Sequence, residues 1–135
     1  MVQGVEALRQ RFAAIIPKVE RDVLVVIERG QNRVASTVRT LAPKDEGRLA
    51  ASVKVTPFAR SLKGKPYKGF RVTYGNASTK VALRGGTATI NNVILQEFGT
   101  LDMPASPAFF PAYRANRKSI RAAMTRAYRE AMKRA

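Results

Sequence analysis

The sequence predicts an α+β fold: a long N-terminal helix and a C-terminal helix packed on a small, mainly antiparallel sheet with extended loops. Three observations predict it. Apolar residues recur every three or four positions from Val5 to Leu41, short alternating stretches flanked by turn residues fill the middle, and a second helical stretch rich in Arg and Lys follows Pro111. The 135 residues suit one domain, 1–135, with a long helix over 1–42, strands and loops over 43–103, and a proline-rich lead and C-terminal helix over 104–135. Apolar residues make up 45% of the chain, enough for a core.

In the first helix, Val5, Leu8, Phe12, Ile15, Val19, Val23, Val26, Val34, Val38 and Leu41 form one stripe, which Gly30 continues between Val26 and Val34. Pro17 costs about 3 kcal/mol in a helix interior, so a kink or short break is expected there, with Gly30 a second soft point. The helix ends by Ala42, because Pro43 disfavours a helical conformation in the residue before it. A stripe this long needs cover, from the protein's own sheet or from neighbouring subunits.

Lys44-Asp45-Glu46-Gly47 reads as a turn, and Ala51, Val53 and Val55 then alternate with polar residues as in a half-buried strand. Phe70, Val72 and Tyr74 predict a second strand, and Arg60 to Gly69 between them reads as a long basic hairpin loop or flexible arm. Asn76 to Thr79 turns the chain, Val81 to Leu83 fits a short strand, and Arg84-Gly85-Gly86-Thr87 is a flexible stretch. Val93-Ile94-Leu95 is apolar and short, and its periodicity fits strand or helix equally. Pro111 suits the first turn of the last helix, where Tyr113, Ile120, Met124, Ala127, Tyr128 and Ala131 share a face. Arg114, Arg117, Lys118, Arg121 and Arg129 cluster on the adjacent face.

Composition narrows the chemistry. With no Cys and no His, disulfides, Cys/His zinc sites and His-based triads are excluded, and no motif sets a Lys beside a candidate Ser nucleophile. Among nine carboxylates, Glu6, Glu20, Asp22 and Glu28 sit on the long helix at spacings suited to ion pairs. A site built from Asp45, Glu97 and Asp102 has no supporting motif, and Gly85-Gly86-Thr87 lacks the spacing of a phosphate loop. The reading is therefore not an enzyme, with no metal and no cofactor. No run of apolar residues approaches the length of a membrane span, and Met1 to Glu6 lacks the features of a secretory signal, so synthesis in a cytoplasm is expected.

A net charge of +16 predicts attraction to polyanions, whether nucleic acid, an acidic protein surface or anionic lipid. Arg60, Lys63, Lys65 and Lys68 in the middle segment, and Arg114, Arg117, Lys118 and Arg121 on the last helix, are candidates for DNA phosphate or for a neighbouring subunit, with Tyr67 available for stacking. No signature of sequence-specific recognition is present, so DNA contact would be to the backbone. A solvated basic surface is the competing reading.

Three segments in order resemble one family. Ala42-Pro43-Lys44-Asp45-Glu46-Gly47-Arg48-Leu49-Ala50-Ala51-Ser52-Val53 is similar to an A-P-x-D-T-G-x-L-R-x-S-I signature that follows a long helix. Gln96-Glu97-Phe98-Gly99-Thr100 resembles a V-E-F-G-T element, and Pro104-Ala105-Ser106-Pro107-Ala108-Phe109-Phe110-Pro111-Ala112 resembles a P-A-x-P-F-L-R-P-A lead into a C-terminal helix. Together they look like the tail-component family of long-tailed, non-contractile bacteriophages and prophages. Glu46 and Ala50 depart from the pattern, as does one extra residue in Pro107 to Phe110.

The resemblance implies a structural virion protein of the phage neck that completes the tail and joins it to the head. It implies a sixfold homo-oligomeric ring between head-closure proteins and the tail tube, at the head–tail junction, assembled in the host cytoplasm, with DNA in the channel and no membrane partner. The neighbouring role of tail terminator, capping the tube, and a free nonspecific DNA-binding protein are the alternatives. Physical reasoning gives the motif residues Pro43, Asp45, Gly47, Leu49, Ser52, Glu97, Phe98, Gly99, Thr100, Pro107 and Pro111 turn-forming roles, with direct partner contact as the alternative. Gly47 and Gly99 permit positive φ, Asp45 caps its turn, and the Glu97 carboxylate is expected to pair with a basic residue of the same or a neighbouring subunit.

Overall fold

Helix α1 spans Val5–Leu41, about 55 Å at the usual rise. The computed structural model describes residues 4–44, 47–83 and 85–134, and in it α1 runs through Pro17 as one continuous helix, without the short break that was one of the two expectations there. Pro17 leaves the Ala13 carbonyl without its helical donor, but this end of α1 is exposed and water can take that bond. At the other end the Ala42 N–H donates to the Val38 carbonyl, and Pro43 stops the helix where the sequence places its end.

Gly47, at φ 71°, opens the short helix α2, Arg48–Ala51. The strand expected from Ala51 therefore starts later, at Lys54. Leu49, Ser52 and Val53 are buried at helical spacing, one turn apart, and this outweighs the alternation of Ala51, Val53 and Val55. Strand β1, Lys54–Leu62, pairs antiparallel with β2, Lys65–Thr73, from Lys54 opposite Thr73 to Leu62 opposite Lys65. The long basic loop expected over Arg60 to Gly69 is instead the end of this ribbon. Lys63 and Gly64, at φ 50° and 75°, form a two-residue turn whose twist matches that of paired strands.

After β2, Asn76 caps a single 3-10 turn, Ala77–Thr79, accepting from the Ser78 N–H. Strands β3, Lys80–Ala82, and β4, Thr89–Asn91, form a second antiparallel ribbon, so the expected single sheet is two separate hairpins. Strand β4 was not anticipated. The Asn91 side chain accepts from the Val93 N–H and starts helix α3, Asn92–Phe98, which decides the ambiguous Val93-Ile94-Leu95 run in favour of helix.

Helix α4, Phe109–Arg134, lies antiparallel along α1. Asn116 donates to the Thr37 hydroxyl, Arg33 donates to the Ser119 hydroxyl, and Gly30 meets Ile120. The side of α4 turned to α1 carries Ala112, Asn116, Ile120 and Ala131, at multiples of about one turn. Tyr113 and Tyr128, expected on that side, are exposed. The core joins Val34, Ala35, Val38 and Ala42 of α1 and its end to Leu49, Val53, Ala108 and Ala112. It therefore sits at the C-terminal half of α1. Toward the other end Val5, Leu8, Phe12 and Ile16 are exposed. Among the described residues, no helix is long and apolar enough to cross a membrane.

Candidate functional site

The three segments that carry the family resemblance meet around the core. Leu49 and Val53 from the first pack in one cluster with Ala108 and Ala112 from the third. Ser52 ties the first segment to the end of β2: its buried hydroxyl donates to the Leu49 carbonyl at 2.6 Å and accepts from the Gly75 N–H at 2.9 Å. Pro43 is half-buried beside them, and Asp45 and Glu46 lie outside the described residues.

Glu97, from the second segment, is the keystone. Its Oε1 accepts from the Ala108 N–H at 2.6 Å and the Phe109 N–H at 2.5 Å. It thereby satisfies two donors at the start of α4 that have no partner within the helix, where the helix dipole also favours negative charge. Within the chain, Glu97 is thus held by backbone N–H groups, where a basic side chain of the same subunit was one expectation. The backbone around it is built to allow this: Gly99, at φ 74°, lies so close to the returning chain that a Cβ there would stand 2.8 Å from the Ala105 nitrogen. Thr100 N–H donates to the Met103 carbonyl and Ser106 N–H to the Gln96 carbonyl, closing the loop. Pro107 is exposed just before α4, and Pro111 is half-buried in its first turn.

The second oxygen of Glu97, Oε2, is buried with no hydrogen-bond partner, and so is the Tyr74 hydroxyl. Both residues line a cavity of about 300 Å³ whose other walls include Val72, Ile94, Phe98 and Phe110. Burial, and then the Glu97 carboxylate, push the Tyr74 phenol above its usual range. At the rim the Phe98 and Phe110 rings stand 6.1 Å apart, with Phe98, Phe110, Ile94 and Leu101 all exposed. Tyr74 was read from the sequence only as a strand residue. The available signal is that it closes the inward series Phe70, Val72, Tyr74 with a hydroxyl that needs a partner.

The candidate basic contacts divide into two groups. Arg114, Arg117, Lys118 and Arg121 are exposed on the side of α4 turned away from α1. Arg60, Lys63 and Lys65 are exposed on the β1–β2 ribbon, while Lys68 is engaged by Glu20 of α1 at 3.2 Å. The Tyr67 and Phe58 rings meet in a T-shaped contact at 5.8 Å, Arg71 lies over the Phe58 ring, and Tyr67 is exposed. Asp102 is exposed, and among the described residues no three acidic side chains gather as a metal site would require. No protein-family model, curated protein or solved structure matches the chain.

Proposed function

We propose that this chain is a non-enzymatic structural subunit of a bacteriophage neck, which completes the tail and joins it to the DNA-filled head as part of a ring. The observation that carries the reading is apolar surface left uncovered at two separated places. One is the outer end of α1, with Val5, Leu8, Phe12 and Ile16, and the other is the Phe98, Leu101 and Phe110 patch beside α4. Surfaces of this kind mark sites of association, and two different patches on one molecule suit head-to-tail contacts that close into rings. The motif resemblance supplies the place in the virion. Antibody-gold labelling of intact particles tests that place: the reading requires label at the head–tail junction, and label along the tail shaft or at its tip contradicts it.

A second reading rests on charge. The exposed stripe Arg114, Arg117, Lys118 and Arg121 fits a DNA backbone, either in the neck channel or in a free DNA-binding protein. Within a neck ring the same stripe is available to DNA in transit or to acidic subunits. Contacts from this stripe to phosphate predict duplex binding at about 0.1 M salt that falls steeply by about 0.3 M, and a chain that binds no duplex at the lower salt contradicts the reading.

A further inference from the structure

The cavity between α3, β2 and α4 has an unmet demand. Glu97 is 8% exposed, its Oε2 has no donor, and the Tyr74 hydroxyl beside it has no partner either. The remaining walls are apolar and aromatic. A buried carboxylate oxygen without a donor is costly, and a group that brings N–H donors on an aliphatic stem between aromatic rings relieves it and suits the other walls. Lysine and arginine side chains have that form.

We propose that this cavity receives the tip of the β1–β2 ribbon, Leu62-Lys63-Gly64-Lys65, from a second copy of the chain. A lysine ammonium of the tip donates to Glu97 Oε2, and Leu62 covers the Phe98 and Phe110 rings. The proposal rests on the reading of the protein as a self-assembling ring subunit and gives that ring a contact. Three features single out the tip. Leu62 is 65% exposed and is followed by Lys63 and Lys65, so an apolar side chain and two ammonium groups lie within one turn. The turn is only two residues wide, narrow enough to enter a cavity of about 300 Å³ at its mouth, whereas a helix with its side chains is about 10 Å across. Every residue from Ala59 to Lys68 is exposed, and a lone two-stranded ribbon is marginal in water unless something covers it.

The ribbon also fixes that the contact is between molecules. Val72, a wall of the cavity, and Lys65, at the tip, lie on the same strand seven residues apart, about 23 Å at the usual rise. A paired strand cannot fold back that distance into its own base. Socket and plug thus occupy opposite ends of one ribbon, and their union is a head-to-tail contact that closes into a ring, or a reciprocal exchange that gives a dimer. In a chain of net charge +16 it also places basic side chains against an acidic group, where copies would otherwise repel.

The test places a photo-crosslinking amino acid at Leu62 in the full chain, mixes isotopically heavy and light protein in about 0.15 M salt, and maps the products by mass spectrometry beside sedimentation of the same samples. Heavy–light links to residues 94–98 or 109–110 are expected. Self-association is expected to weaken about tenfold or more in E97Q and in the K63E/K65E double variant, and less in Y74F. The tip variant alters only exposed residues, so it keeps its helical circular dichroism even where E97Q loses stability. Oligomers that persist in K63E/K65E, or heavy–light links elsewhere, overturn the socket while leaving ring assembly standing. A chain that neither associates nor cross-links between copies overturns both.

Discussion

Replacing Glu97 tests how the start of α4 is held. Glu97→Ala removes the acceptor of two short hydrogen bonds and leaves the buried Ala108 N–H and the part-buried Phe109 N–H without it. Hydrogen bonds to a charged acceptor are worth about 1.5–3 kcal/mol each, so the two together set a loss of about 3–6 kcal/mol. Against a total stability of about 5–15 kcal/mol for a domain, that is a large fraction. Glu97→Gln keeps an acceptor oxygen at the same place and loses only the charge. It also removes an unpaired buried carboxylate oxygen and offers an amide donor toward the Tyr74 hydroxyl. Its cost is expected below half that of Glu97→Ala, at about 0–2 kcal/mol. Urea unfolding followed by circular dichroism measures both. The reasoning is refuted if Glu97→Ala stays within about 0.5 kcal/mol of the parent, or if the two variants lose equal stability.

At the α1–α4 seam, a Cβ on Gly30 would stand 3.0 Å from two carbons of Ile120, so Gly30→Val is expected to cost about 1–3 kcal/mol. Adding Ile120→Ala should return more than half of that loss in the same urea assay. Because burial and then Glu97 raise the Tyr74 phenol, its contribution to stability is complete below the unfolded value of 10.0 and is lost as pH rises through the raised folded value. Tyr74→Phe should therefore flatten the alkaline end of the stability curve, as read by thermal melts across pH 9 to 12 at about half-unit steps. Hydrogen exchange should show the amides of 59–68 opening far more readily than those of Val34, Ala35 and Val38, which are buried in the core; equal protection would contradict the picture of an uncovered ribbon.

Periodicity made the two long helices legible, because each carries an apolar or small-residue stripe over many turns and is bounded by proline. The middle was harder for specific reasons. Lys, Gly and Pro between Arg60 and Gly69 have the composition of a loop, yet they pair in register, since a ribbon with both faces wet places no demand for alternation. Ala51-Ser52-Val53 fits period two as well as one helical turn, and only the burial of Leu49 and Ser52 by partners distant in sequence decides it. The motif residues were legible as turn formers at Gly47 and Gly99, which do adopt positive φ. The role of Glu97 was not, because its partners are backbone N–H groups eleven and twelve residues away, and backbone donors leave no mark in a sequence.

The most direct test of a joining role is to disrupt the gene in its phage or prophage, induce it, and count particles in the lysate by electron microscopy. The account predicts DNA-filled heads beside unattached tails of normal length, with joined particles restored when the chain is supplied in trans. Overlong tails would instead assign the chain to tail termination, and intact infectious particles without it would contradict any role in the neck.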